Sequence, residues 1–276
     1  MMLKPTTINL DDSHVMAIVN LTPDSFYGAS RHHSIDDARS TVERVVKEGA
    51  TIVDIGGYSS RPGAPEVDTE EEWRRVQMGL EAVRRADCEV VVSIDTFRAE
   101  VVRRAHEEFG EFIVNDISAG EADGEMIATV AALNLPYVAM HMRGTPETMQ
   151  SMTDYDDGVV AGVCNYLKHR AEELQRAGIA HKNIILDPGF GFAKSVAQNF
   201  ELMRGMDALR ELGYPLLIGV SRKSMIYKPL GITPEEALPG SLALAWEALR
   251  GGSAVLRVHD VAATKQIVEL SKHYYR

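Results

Sequence analysis

Hydrophobic positions along the chain gather into eight short, mostly unbroken runs: His14–Leu21, Thr51–Gly57, Glu89–Thr96, Phe112–Ser118, Pro136–Met142, Asn183–Gly189, Pro215–Ser221 and Ser253–His259. They do not alternate with polar residues, as strands do when both sheet faces are covered. Between them the spacing turns helical over Asp36–Lys47, Thr69–Arg85, Arg98–Glu108, Glu125–Asn134, Asp157–Ala177, Val196–Leu212, Pro234–Arg250 and Val261–Ser271. Acidic starts such as Asp68-Thr69-Glu70-Glu71, and stops such as Gly178, bound many of them. Strict strand–helix alternation predicts parallel strands joined by right-handed crossovers. Eight such units match the ~250 residues typical of a (β/α)8 TIM barrel. A doubly wound open sheet is the competitor, and the strand count disfavours it. No linker or composition break divides the chain, so we expect one α/β domain over residues 1–276 with its core at about 14–272.

Composition narrows the partners. A net charge of −11 argues against nucleic acid and against anionic membrane surfaces. Any anionic ligand must then be met by a local cluster of donors. No apolar run reaches the length of a membrane span, and the first residues, MMLKPTTINLDD, lack a signal-peptide core. Cys88 and Cys164 have no metal-like spacing and read as reduced core thiols. A cytoplasmic protein is expected.

The polar residues of interest fall at the C-terminal ends of the strands, where barrels carry their sites. They are Asn20; Ser59, Ser60 and Arg61; Asp95; Asn115 and Asp116; His141 and Arg143; Asp187; Ser221, Arg222 and Lys223; and Arg257 and His259. A lone Asp after a strand is usually a helix cap, but so many polar ends together ask for more than caps. Carboxylates and an amide from Asp95, Asn115 and Asp187 suit the edge of a planar heterocycle with adjacent N–H donors and carbonyls. A structural network of buried acids held by Lys223 or Arg257 is the bland alternative. Arg257 and His259 precede a helix start, a frequent phosphate position in barrels. Asn20 could give a neutral oxygen to Mg2+ beside such an anion, although Asn before Thr-Pro is commonly a turn former. In Asp187-Pro188-Gly189-Phe190-Gly191-Phe192 the phenylalanines could wall a flat ligand or fill a tight corner. Ser224 opens a helix whose N–H groups could hold a carboxylate.

The strings NLTPDSF, DIGGYSSRPG, SIDTFRAEV, VNDISAG, MHMRGTPETMQ, DPGFGFAKS, GVSRKSM and LRVHDV together resemble the dihydropteroate synthase family of pterin-binding barrels. The resemblance runs from about Val15 to Lys265, with the blocks in the family's order. It implies a transferase of folate biosynthesis that condenses (7,8-dihydropterin-6-yl)methyl diphosphate with 4-aminobenzoate, releasing diphosphate and forming 7,8-dihydropteroate. It also implies Mg2+ as cofactor and sulfonamides, which are similar to 4-aminobenzoate, as inhibitors. Carried over by position, Asp95, Asn115, Asp187 and Lys223 bind the pterin, and Ser60, Arg61, Arg257 and His259 join them around the diphosphate, with Asn20 on the metal. Asp95, Asp187, Lys223 and Arg257 are the residues expected to act in catalysis. Pro62, Phe192, Lys223 and Ser224 surround the arylamine, and loops 22–34 and 58–68 close over the site, the first with Asp24 and Phe26.

Three departures from the family pattern stand out. Many members read GGEST where this chain has Gly56-Gly57-Tyr58-Ser59-Ser60, so Tyr58 replaces Glu and Ser60 replaces Thr. Ala193 stands where Gly is usual. Two other readings compete. One is a methyltetrahydrofolate-binding barrel of corrinoid methyltransferases, which shares the pterin-reading acids but has no use for a diphosphate site. The other is a non-catalytic paralogue, disfavoured by the intact set of charged strand ends. The resemblance further implies a homodimer through the C-terminal helices, whose apolar positions include Leu242, Leu244, Trp246 and Leu249.

Overall fold

Each apolar run forms a strand, and each strand pairs with the next until the last returns to the first. The computed structural model describes residues 3, 8–21, 34–58 and 66–275. Its strands are β1 (His14–Asn20), β2 (Ile52–Gly56), β3 (Val91–Asp95), β4 (Ile113–Asp116), β5 (Tyr137–Met140), β6 (Ile184–Asp187), β7 (Leu216–Ile218) and β8 (Ser253–Val258), all parallel in a closed barrel. The helices are α1 (Ile35–Lys47), α2 (Thr69–Ala86), α3 (Ala99–Phe109), α4 (Met126–Leu133), α5 (Val159–Arg176), α6 (Val196–Arg204), α7 (Met206–Arg210), α8 (Ser224–Leu230), α9 (Leu238–Arg250) and α10 (Val261–Tyr274). The (β/α)8 expectation therefore holds, and the open sheet is excluded by the β1–β8 pairing.

Two apolar layers hold the barrel. The larger lies between strands and helices, with Val53, Ile55, Leu80, Phe109, Phe112 and Leu186 almost fully buried. A smaller one plugs the N-terminal half of the barrel, where Met16, Ile52, Ile113, Val138, Ile185, Leu217 and Val255 meet. Burying each such side chain contributes about 1.5–3 kcal/mol. Above that plug the interior turns polar. Register places Asp54 between Ile18 and Ser93, and Asp95 between Gly56 and Asn115. Laterally paired residues share a face, so these polar groups project to the same side and toward the mouth.

The helix ends follow the sequence signals. Asp68 caps α2 through its carboxylate and the Glu71 N–H at 2.8 Å, and Ser195 with Gln198 forms a capping box on α6. Gly178 closes α5 with a positive φ, its N–H reaching the Gln175 carbonyl. The expected helix 196–212 is instead two helices hinged at Gly205. A Cβ there would lie 2.6 Å from Cγ2 of Val160 on α5. Close helix approach demands glycine, and glycine weakens the helix at that point. Strand ends fall one or two residues short of expectation, and β7 keeps three residues, with a register shift against β8 at Leu216/Leu217. The short β7 is followed by Gly219, near the Arg257 and Lys223 side chains.

Candidate active site

The strand C-termini surround a cavity of about 580 Å³. Its wall includes Asn20, Tyr58, Asp95, Phe192, Lys223, Ser224, Arg257 and His259. A second hollow, about 570 Å³, is open to solvent between α5 and the α6–α7 pair and is lined by Asp157, Glu201 and Glu211, remote from these groups.

Arg257 organises one side. Its Nε donates to Asp54 Oδ2 at 2.6 Å and its Nη2 to Asp95 Oδ2 at 2.7 Å. The same Asp54 oxygen accepts from Asn115 Nδ2 at 3.0 Å. One buried carboxylate thus fixes both the guanidinium and the amide, and Asp95 completes the clamp. Asp54 was not singled out from the sequence, although a charged residue inside the run Thr51-Ile52-Val53-Asp54-Ile55 is its signal. Burial pushes Asp95 up to about 7, against the lowering pull of Arg257 and with a further push from Asp54. Asp116, next to Asn115, turns the other way. It accepts from the Ser118 and Gly120 N–H groups, the Ser118 hydroxyl and the Tyr137 hydroxyl, which makes it a structural anchor of the loop after β4.

The opposite side belongs to the loops after β6 and β7. Asp187 ends β6 and accepts the Gly189 N–H at 2.7 Å. Lys223 donates to the Phe190 carbonyl, and its amine stands 5.0 Å from the Phe192 ring centre. Burial pulls Lys223 down to about 8, opposed by the Asp187 carboxylate. Burial likewise raises Asp187, opposed first by Lys223. Ser221 Oγ lies 3.1 Å from His259 Nδ1 and accepts the His259 backbone N–H at 3.2 Å. Arg222 grips Asp260 through two bonds of 2.9 and 2.6 Å. These contacts stitch the β7 and β8 loops together and fix His259 at the rim beside Arg257.

Tyr58 sits in the cavity wall edge-on to Phe97, with ring centres 5.2 Å apart. The Arg98 guanidinium lies 5.0 Å from the Phe97 ring and 5.9 Å from the Tyr58 ring, and itself pairs with the buried Glu72. The departure at this position therefore replaces a carboxylate with part of an aromatic wall. Ala193 is buried with φ +49°, a conformation that glycine adopts more easily. Asp24, Phe26, Ser59, Ser60, Arg61 and Pro62 lie outside the described residues. His141, one of the polar strand ends, is buried beneath the β6 loop rather than in the cavity wall.

One feature bears on the expected metal. Asn20 Oδ1 faces this region, is buried, and has no hydrogen-bond partner among the described residues. An orphaned neutral oxygen beside a cationic rim fits a Mg2+ ligand shared with phosphate.

The family model described as pterin binding enzyme matches residues 16–259. The dihydropteroate synthase of Escherichia coli K12 is 42% identical over 265 residues, covering 96% of this chain and 93% of its own length. Among solved structures, a Yersinia pestis dihydropteroate synthase with a sulfonamide drug superposes with a TM-score of 0.92 at 36% identity, over 100% of this chain and 98% of that one. The Xanthomonas albilineans dihydropteroate synthase in complex with 7,8-dihydropteroate gives 0.85 at 38% identity, over 97% and 95%.

Proposed function

Since this chain belongs to the pterin binding enzyme family, we propose that its barrel mouth assembles dihydropteroate by letting diphosphate leave before the arylamine attacks. The activity is that of a dihydropteroate synthase, a transferase that joins the methylene carbon of a dihydropterin diphosphate to the nitrogen of 4-aminobenzoate. The observation that carries the mechanism is the Arg257–Asp95 pair, fixed from behind by the buried Asp54, on the same cavity wall as Lys223 and His259. Carboxylates and cations are thereby set side by side around one small volume.

The carboxylates of Asp95 and Asp187, with Asn115, read the N–H and carbonyl edge of the pterin, and Lys223 holds its carbonyl side. When the methylene C–O bond breaks, the electron pair leaves with diphosphate and positive charge spreads into the pterin. Asp95 and Asp187 stabilise that charge from fixed positions. Arg257 and His259 meet the negative charge growing on the leaving group. Mg2+ would add charge neutralisation there, with Asn20 as the residue of this chain that holds it. The nitrogen lone pair of the arylamine then forms the new C–N bond and a proton departs to solvent. No strong base is required, because the carbon is already electron-poor. Phe192 and Ser224 border the arylamine, the helix start at Ser224 facing its carboxylate.

A homodimer and a cytoplasmic location complete the reading. Trp246, Tyr274 and Tyr275 form an aromatic cluster on α9 and α10, with Tyr274 70% and Leu270 57% exposed. Neither cysteine is in a disulfide, consistent with a reducing compartment. Diphosphate release by the purified protein with Mg2+ and the pterin diphosphate tests the function. Release that needs 4-aminobenzoate and yields dihydropteroate is expected. Tight pterin binding without turnover would instead favour the methyltetrahydrofolate-type reading.

A further inference from the structure

Lys194 is a buried amine that the reaction above does not use, pulled down to about 7 by burial against the opposing Asp187 carboxylate. Its side chain is 4% exposed, and its amine lies 2.9 Å from each of three acceptors: His141 Nδ1, the Gly189 carbonyl and the Phe192 carbonyl. None of these partners is a carboxylate. Three acceptors match the three N–H bonds of an ammonium, and two of them belong to the turn that carries the site's aromatic loop. His141 supplies the third from the end of β5, its ring edge-on to Tyr166 at 4.9 Å. Burial, with the neighbouring Lys194 amine, holds His141 down at about 2, so the ring is neutral, and an amine donating to Nδ1 calls for the tautomer with its proton on Nε2.

What that grip fixes is visible around the turn. The Gly189 carbonyl also accepts the Phe192 N–H at 3.0 Å. The Gly189 N–H is spent on Asp187, and the Gly191 N–H goes to Asn199 Oδ1 at 2.6 Å. A Cβ at Gly189 would lie 2.0 Å from the His141 carbonyl, so the turn is pressed against β5 as closely as a backbone allows. With its ends held, the turn aims the Phe190 carbonyl at the Lys223 amine and sets the Phe192 ring beneath it. Asp187, by contrast, is anchored by the β6 ladder as well.

We propose that Lys194, held by His141, is a positioning residue that sets the Gly189–Phe192 turn and through it the arylamine side of the cavity. This rests on the proposed function, in which Phe192 and Ser224 border 4-aminobenzoate. Because the pterin-reading groups Asp95, Asn115 and Asp187 sit on strand ends, and the Lys223 backbone is held in the loop after β7 by the Val220 carbonyl, the two substrates are expected to respond differently to loss of the grip.

The test compares wild type with Lys194→Met, His141→Phe and His141→Asn, the last keeping an acceptor near the place of Nδ1. Steady-state kinetics give kcat and KM for 4-aminobenzoate at saturating pterin diphosphate, calorimetry gives pterin affinity, and circular dichroism confirms folding. We expect Lys194→Met and His141→Phe each to raise KM for 4-aminobenzoate at least tenfold while pterin affinity changes less than threefold. His141→Asn is expected to stay within threefold of wild type in both, and the Lys194→Met/His141→Phe double variant to be no worse than either single one. A folded Lys194→Met with wild-type KM, or equal losses for both substrates, would overturn the proposal. Should Lys194→Met fail to fold, the His141 pair carries the same comparison. A wild type that binds pterin but makes no dihydropteroate would sink the functional reading itself, an outcome distinct from any of the variant results.

Discussion

At the scale of single residues, the site is a set of charges kept from water and made tolerable by one another. Lys223 shows the consequence for pH. Its amine is pulled down to about 8 by burial, and Asp187 opposes that pull while Arg257 adds to it. The ammonium is therefore present below about pH 8 and lost as pH rises through it. A reaction that needs this cation should lose kcat/KM on the alkaline side with an apparent pKa near that value. Lys223→Arg, charged throughout, should flatten the alkaline limb even while lowering the maximum, since a planar guanidinium does not replace a compact amine without cost. A pH–rate profile on both proteins decides it. If the limb stays in the Arg variant, another group sets it. Asp54 makes the complementary point: as a carboxylate inside an apolar strand it has no value to stability unless Arg257 and Asn115 use it, and both do.

Among elements, the sequence was most informative where one principle acted alone. Continuous apolar runs gave β1 to β8 their places because burial on both faces leaves little else to choose. Local chemistry marked the cap at Asp68 and the stop at Gly178. It was least informative where a tertiary contact decided. Gly205 breaks the helix expected over 196–212 because Val160 on α5 leaves no room for a side chain, and nothing near Gly205 in sequence reports that. The same holds in the site: Asp95, Asn115, Asp187 and Lys223 were legible as polar strand ends, whereas Lys194 was not. Its role exists only because β5 brings His141 under the β6 loop. Gly205→Ala isolates the packing argument. Its Cβ would press on both Val160 methyl groups, at 2.6 and 2.9 Å, so overpacking should destabilise by about 1–3 kcal/mol in denaturant unfolding. Activity at low temperature should survive, because the hinge lies away from the strand ends. A variant as stable as wild type would show that α5 can yield and that the break has another cause.

For the molecule as a whole, charge and surface point in different directions. The chain carries −11, yet both proposed substrates are anions, so long-range attraction works against the site and binding must come from the local group of Lys223, Arg257 and His259. Salt should accordingly weaken substrate capture less than it would for a basic protein. The far surface is different: on α9 and α10 the cluster of Trp246, Tyr274 and Tyr275 lies near an exposed Leu270, where apolar groups face outward. A symmetric pair of chains would cover such a patch with its own copy, each helix pair meeting the same pair across a twofold axis. Replacing Leu270 and Tyr274 together with Glu puts like charges opposite each other at that axis. Sedimentation should then shift from dimer to monomer at micromolar concentration, with kcat changed by less than about threefold, since this patch is separate from the residues that line the cavity at the strand C-termini. A wild type that sediments as a monomer would remove the need for a partner on this face. A monomeric variant that loses turnover would show that the barrel mouth depends on the second copy after all, through the helices that brace β8 and hence Arg257.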